Sequence, residues 1–215
     1  MKTGVLGTGM VGTAIGTKLI QLGHEVKMGS RTTENPKAAE WAKTNGTRAT
    51  CGTFADAAAF GEILFNCTSG MKSLEALKLA GERNINGKIL IDIANPLDFS
   101  KGMPPSLSVC NTDSLGEQIQ HAFPNVKVVK SLNTMNCKLM VDPSLVQGEH
   151  DVFVAGNDKS AKEKVIQILK EWFGWKSVID LGDISAARAL EMILPLWLKL
   201  MGNYQSPNFN FKIVR

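Results

Sequence analysis

The chain has 215 residues, 44% hydrophobic and 20% charged, a balance that folds and excludes a disordered or fibrous polymer. That length suits one domain, or one domain with a small appendage, and buries a core without covalent staples. The net charge of +4 is spread along the chain with no Lys/Arg block, which argues against a nucleic-acid binder.

Short apolar runs alternate with helical patterns through the first half, which predicts βαβ units and a parallel sheet. Residues 3–6 read as a buried strand. A helix follows over 10–22, with Val11, Ile15, Leu19 and Leu22 on one stripe and Gly23 as its stop. A second strand over 24–28 leads to a helix over 36–45, opened by Asn35-Pro36. A weak strand over 48–51 and a helix over 53–60 come next. Residues 62–67 and 88–93 are clear buried strands, with a helix over 73–80 between them. The Pro/Gly-rich stretch 95–105 is the longest loop.

The second half continues with a helix over 114–122 and a strand over 126–132, and 134–147 reads as irregular. A strand over 151–155, a helix over 159–172 and a strand over 176–181 follow. The last helix spans 185–202, kinked at Pro195, and the tail 206–215 alternates Phe209, Phe211 and Ile213 like a strand or a docked arm. The apolar stretch 190–201 is interrupted by Glu191, Pro195 and Lys199, too short and polar to span a bilayer. The four cysteines have no metal-ligand spacing, so the expectation is reduced thiols, no metal site, no secretory leader and a cytoplasmic protein.

Gly7-Thr8-Gly9-Met10-Val11-Gly12 is a G-x-G-x-x-G motif lying between the first strand and the first helix. In that setting Gly7 permits the tight turn, Gly9 lets a pyrophosphate approach the backbone, and Gly12 lets the helix pack close to the strand. The free amides and dipole at the helix start then hold the phosphates. An NAD-binding chain places a carboxylate at the end of its second strand. Here that end reads Ser30-Arg31-Thr32, hydroxyls around a guanidinium, with Lys37 nearby. This favours NADP(H), whose 2′-phosphate suits a planar fork of donors. The expected fold is α/β, a Rossmann-type, doubly wound, mostly parallel sheet with a small C-terminal extension. Residues 1–130 would bind the nucleotide, and 131–215 would complete the sheet, the acceptor pocket and dimer contacts.

The run GVLGTGMVGTAIGTKLIQLGHEVKMGSRT, with EILFNCTSG, KILIDIANPL and VVKSLNTMNCKLM, resembles the NADP oxidoreductase, coenzyme F420-dependent family. LEMILPLWLKLMG and the tail are similar to that family's closing helix and end. The resemblance implies hydride transfer between NADP(H) and a flat carrier, F420 or a flavin (FMN or FAD), by a homodimer with small-molecule partners only. It implies that Thr8, Gly9, Met10 and Val11 supply the phosphate turn, and that Ser30, Arg31 and Thr32 hold the 2′-phosphate. Thr68 and Ser69 would flank the adenosine and pyrophosphate. Ala94 and Asn95 would lie near the nicotinamide, with Leu132, Asn133, Thr134 and Met135 as the wall where acceptor and nicotinamide meet. Archaeal members carry histidine at Asn133 and proline at Asn136. Alternatives are an NADPH-dependent reductase of a small C=O or C=N bond, and a non-catalytic NADP(H) sensor. No nucleophile or triad is expected, because the cofactor carries hydride chemistry. His24, His121 and His150 suggest no catalytic pairing. Cys67 reads as core, Cys137 as a loop thiol, and Asp92 as a buried, hydrogen-bonded carboxylate.

Overall fold

The computed structural model describes residues 1–215. In chain order the strands are β1 (Lys2–Leu6), β2 (Glu25–Ser30), β3 (Ala49–Thr53), β4 (Ile63–Asn66) and β5 (Ile89–Asp92). They continue with β6 (Leu97–Asp98), β7 (Ser106–Leu107), β8 (Lys127–Ser131), β9 (Asp151–Ala155) and β10 (Ser177–Asp180). The helices are α1 (Met10–Gln21), α2 (Pro36–Asn45), α3 (Phe54–Phe60), α4 (Gly70–Ala80) and α5 (Glu82–Ile85). After them come α6 (Leu115–Ala122), α7 (Cys137–Val141), α8 (Lys159–Glu171), α9 (Ala187–Met192) and α10 (Leu194–Tyr204).

The main sheet has the order β10-β9-β8-β5-β4-β1-β2-β3, while β6 and β7 form a separate small hairpin. From β3 to β8 every pairing is parallel; β9 runs antiparallel to β8 and β10 parallel to β9. The chain winds outward from β1 through β2 and β3, then returns to the other side of β1 with β4. That reversal opens a crevice at the carboxyl ends of β1 and β4, where ligands of this architecture bind.

Strand alternation builds two core layers. Val5, Phe65, Ile91 and Val129 point to the layer of α1, α2, α7 and α8. Their neighbours Leu6, Leu64, Leu90 and Val128 point to the layer of α3 to α6. Burial on both faces explains why these strands read as continuous apolar runs.

Three sequence expectations change, and a fourth is settled between its two alternatives. The stretch 134–147 contains α7 and a 3-10 turn, Pro143–Leu145; a five-residue helix is too short to show periodicity, and its signal is the Asn136 cap, whose Oδ1 accepts from Lys138 N at 2.9 Å. The helix placed at 73–80 starts at Gly70. The final helix is two helices, α9 and α10, separated at Ile193; Pro195 sits in the first turn of α10, where its missing N–H costs nothing. The tail is a docked arm: Asp151 N donates to Phe211 O at 2.9 Å, and Ile213 N donates to Asp151 Oδ2 at 2.6 Å.

Candidate functional site

At the β1–β4 switch point lies a pocket of about 250 Å³, walled by Gly7, Thr8 and Gly9, by Ser30, Arg31 and Asn35, and by Thr68, Ser69, Lys72 and Glu75. Gly7 has φ +118°, and a side chain there would stand 2.6 Å from the Cys67 carbonyl oxygen. A Cβ on Gly12 would stand 2.0 Å from Gly7 O, so helix and turn touch backbone to backbone. Gly9 differs: nothing lies within 4 Å of its missing Cβ. Its bareness fills no packing need and leaves space open above the turn.

α1 has Gly9 as its N-cap, with no side-chain cap and no acid in its first turn. Thr13 N is its first bonded amide, to Gly9 O at 2.9 Å; those of Met10, Val11 and Gly12 have no partner in the chain. α4 opens on the same pocket, also without a side-chain cap. Two uncapped helix starts at one pocket suit an anion.

At the end of β2 the Ser30 hydroxyl donates to the Thr32 carbonyl at 2.5 Å, so Ser30, 4% exposed, shapes the turn. Arg31 is exposed and its guanidinium makes no hydrogen bond or ion pair within the chain. Thr32 is exposed beside it and does not line the pocket. Lys37 and Met10 line a wider groove of about 1170 Å³ between α1, α2 and α7, which meets the pocket at Thr8 and Gly9. Asn35, Lys72 and Glu75 joined the pocket without a motif to announce them. Asn35 alone had a signal, as the cap of α2.

The remaining expected residues stand at the ends of β5 and β8. Ala94, Asn133 and Thr134 are buried and Asn95 is half-buried. Asn95 and Asn133 clasp each other: Asn95 Nδ2 donates to Asn133 O and Asn133 Nδ2 to Asn95 Oδ1, both at 2.8 Å. Asn133 Nδ2 also donates to Leu190 O at 2.9 Å. Leu132, just before, adopts φ 64°, a left-handed conformation rare for leucine. Val11 packs against the core and Gly12 is buried, so neither presents a side chain to the pocket.

Burial and Asp92 push Cys67 far above the usual thiol range, leaving it a core residue. Cys137 is half-buried on the wall of the wide groove. Asp92 is buried and hydrogen-bonded, as its strand position suggested. His150 has partners that no sequence pattern showed, Pro143 O at 3.0 Å and Asn210 Nδ2 at 2.9 Å. No helix is long and apolar enough to cross a membrane.

The geometry meets its counterparts in known proteins. The family model for NADP oxidoreductase, coenzyme F420-dependent, matches residues 2–96. A candidate F420-dependent NADP-reductase of Arthrobacter sp. FB24, solved as a crystal structure, is 52% identical with both chains fully covered and a TM-score of 0.94. The chain belongs to the NADP oxidoreductase, coenzyme F420-dependent family. It is an NADP-dependent oxidoreductase with a Rossmann-type sheet.

Other relatives frame this reductase. The F420-dependent NADP reductase of Methanocaldococcus jannaschii is 28% identical, over 99% of this chain and 98% of that protein. Metalloreductase STEAP3 of Rattus norvegicus is 28% identical, over 91% of this chain but only 38% of its own length. An imine reductase of Myxococcus stipitatus, 20% identical with a TM-score of 0.63, shares the fold. The reductase's own residues fit an anionic dinucleotide. The amides of α1 are unspent, Gly9 leaves its space empty, the guanidinium is free, and no carboxylate stands at the end of β2.

Proposed function

We propose that this oxidoreductase passes hydride between NADP(H) and F420. The observation that carries the reading is the unpartnered Arg31 at the end of a carboxylate-free β2, beside the open amides of α1. In this reading Met10, Val11 and Gly12 present N–H groups to the pyrophosphate across the gap at Gly9. Arg31 takes the 2′-phosphate with its planar fork, and Thr32 adds a hydroxyl. Lys37 adds positive charge from α2 without touching the pocket. Thr68 and Ser69 hold the adenosine side, and Ala94, Asn95, Asn133 and Thr134 form the wall at the nicotinamide end.

The bound dinucleotide supplies the hydride, and the chain supplies distance, face and exclusion of water. Reduction of the carrier by NADPH also takes up one proton, which solvent supplies. F420 as the acceptor rests on family membership and on the relatives named for it; flavins have no such support. Residues 131–215 would then complete the acceptor side. A homodimer is part of the same reading: Met192, Leu196 and Tyr204 leave apolar surface exposed on the C-terminal helices.

The test is NADPH absorbance and fluorescence with F420, FMN, FAD and a panel of small carbonyls and imines, each added in turn. NADPH oxidation with F420 alone is the expected result. Oxidation by a carbonyl or imine, or tight NADPH binding with no turnover for any acceptor, would sink the reading.

A further inference from the structure

Asp92, Lys130 and Glu191 are each no more than 1% exposed, yet all three are ionisable. Taking such groups out of water is costly, and an apolar trio of the same volume often serves stability better. Their placement is therefore informative. Asp92 is the last residue of β5, Lys130 faces it in register on β8, and both stand at the carboxyl edge where the crevice opens.

Lys130 Nζ lies 2.9 Å from Asp92 Oδ2 and 2.8 Å from Glu191 Oε1, and it donates to the Ala94 carbonyl. Burial by itself would lower the Lys130 ammonium, but Asp92 and Glu191 more than offset it and hold it above the usual lysine range. Glu191 also accepts from the first amides of α6, Leu115 N at 2.8 Å and Gly116 N at 3.0 Å. On the other side Asp92 Oδ1 accepts from Asn66 Nδ2 at 2.8 Å, and Asn66 Oδ1 accepts from the Thr68 hydroxyl at 2.7 Å. Thr68 lines the pocket. One ammonium thus ties the pocket wall, the turn after β5 and helix α9 together.

α9 in turn holds Asn133. Leu190, next to Glu191, accepts from Asn133 Nδ2. With Nδ2 engaged by two carbonyl-type acceptors the amide has one orientation, and its Oδ1 is buried with no donor. Two other buried side-chain atoms lack partners, Trp197 Nε1 and Asn210 Oδ1; only Asn133 lies at the carboxyl end of a main-sheet strand, two residues past Ser131. Its clasp partner Asn95 is half-buried, and the Asn95 carbonyl oxygen would stand 2.0 Å from a side chain on Gly70, the first residue of α4 and the neighbour of pocket-lining Ser69. A buried acceptor left without a donor is expensive, and a ligand N–H would relieve it.

We propose that Lys130, with Asp92 and Glu191, is a positioning residue for the nicotinamide end, holding Asn133 so that its Oδ1 accepts from the carboxamide N–H₂. The inference rests on the NADP(H) reading and adds a residue-level contact and its support.

Calorimetric titration of the full-length protein with three probes tests it: NADP⁺, its 3-acetylpyridine analogue, in which a methyl replaces the carboxamide N–H₂, and 2′,5′-ADP, which has no nicotinamide. The wild-type protein should prefer NADP⁺ over the analogue by about five- to tenfold, the worth of one hydrogen bond. Asn133→Ala, Lys130→Met and Glu191→Gln should each bring that ratio to about one, with the Kd for 2′,5′-ADP unchanged in Asn133→Ala and Glu191→Gln, which leave the Asp92–Asn66–Thr68 chain in place. If Lys130→Met does not fold, Glu191→Gln carries the test, since it keeps the side-chain shape and loses the ion pair. A trio with a merely structural role would lower Tm and leave the ratio standing, which overturns the proposal. So does a wild-type protein that does not tell the two dinucleotides apart. Failure of 2′,5′-ADP to bind the wild type marks the different failure of the NADP reading itself, and the inference falls with it.

Discussion

Gly9 and Gly12 belong to one motif but answer to different forces, and an alanine scan separates them. A methyl on Gly12 would press on the Gly7 carbonyl at 2.0 Å, so Gly12→Ala should lower Tm by several degrees in a thermal melt. A side chain on Gly9 meets nothing in the chain. Gly9→Val should therefore keep the melting curve close to wild type while NADPH binding, followed by fluorescence, is lost. Arg31 has no partner to lose. Arg31→Ala should raise the Kd for NADP(H) about 10- to 100-fold, as expected for charge-assisted hydrogen bonds, and leave NAD(H) binding unaltered. Equal losses for both nucleotides would remove the 2′-phosphate role. At this scale the motif, the missing acid and Arg31 were all legible, because they are short-range features of one βαβ unit. The Ser30 hydrogen bond to the Thr32 carbonyl was not, since only the folded turn brings the two together.

Helix boundaries follow side-chain caps, and two of them make measurable claims. Asn35 caps α2 by accepting from Ala38 N at 3.1 Å. Asn35→Ala should cost about 1 kcal/mol, a fall in Tm of about 2–4 °C. Asp158 caps α8: its carboxylate accepts from the Ser160 hydroxyl at 2.6 Å and from Ala161 N at 2.7 Å, and it pairs with Lys127 at 3.2 Å. These contacts lower its pKa to about 2. A depressed carboxyl binds its proton less readily folded than unfolded. Its stabilisation is therefore complete above the unfolded value near 4 and is lost as pH falls towards 2. Melting curves of Asp158→Ala should show a flatter acid limb than wild type between about pH 4 and pH 2. An unchanged slope would contradict the cap. Long elements such as α1 and α8 were readable from their stripes. α7 and α5 were not, because four or five residues hold less than one period and a half.

For the molecule as a whole, the C-terminal arm closes the structure. Phe209 stacks on Trp197 with ring centroids 5.4 Å apart, and Tyr204 meets its edge at 5.6 Å. The arm also bonds to Asp151 at the start of β9. Phe209→Ala should cost about 2 kcal/mol, roughly half the loss for a fully buried phenylalanine, and shift the tryptophan emission to the red as Trp197 meets water. The alternating pattern of 209–213 announced an arm that packs by alternate residues, and left open whether it would pair as a strand. It docks without becoming one.

Local order by itself determined the doubly wound half, the glycine turn between β1 and α1 and the carboxylate-free end of β2. Burial period, turn residues and the choice of acid or base after a strand all act within a few neighbours. Only the tertiary structure decided that Asp92, Lys130 and Glu191 meet and that Asn133 keeps one oxygen unspent. Residues 38 and 61 positions apart along the chain become partners through sheet register and the return of α9, and no stretch of sequence contains that geometry.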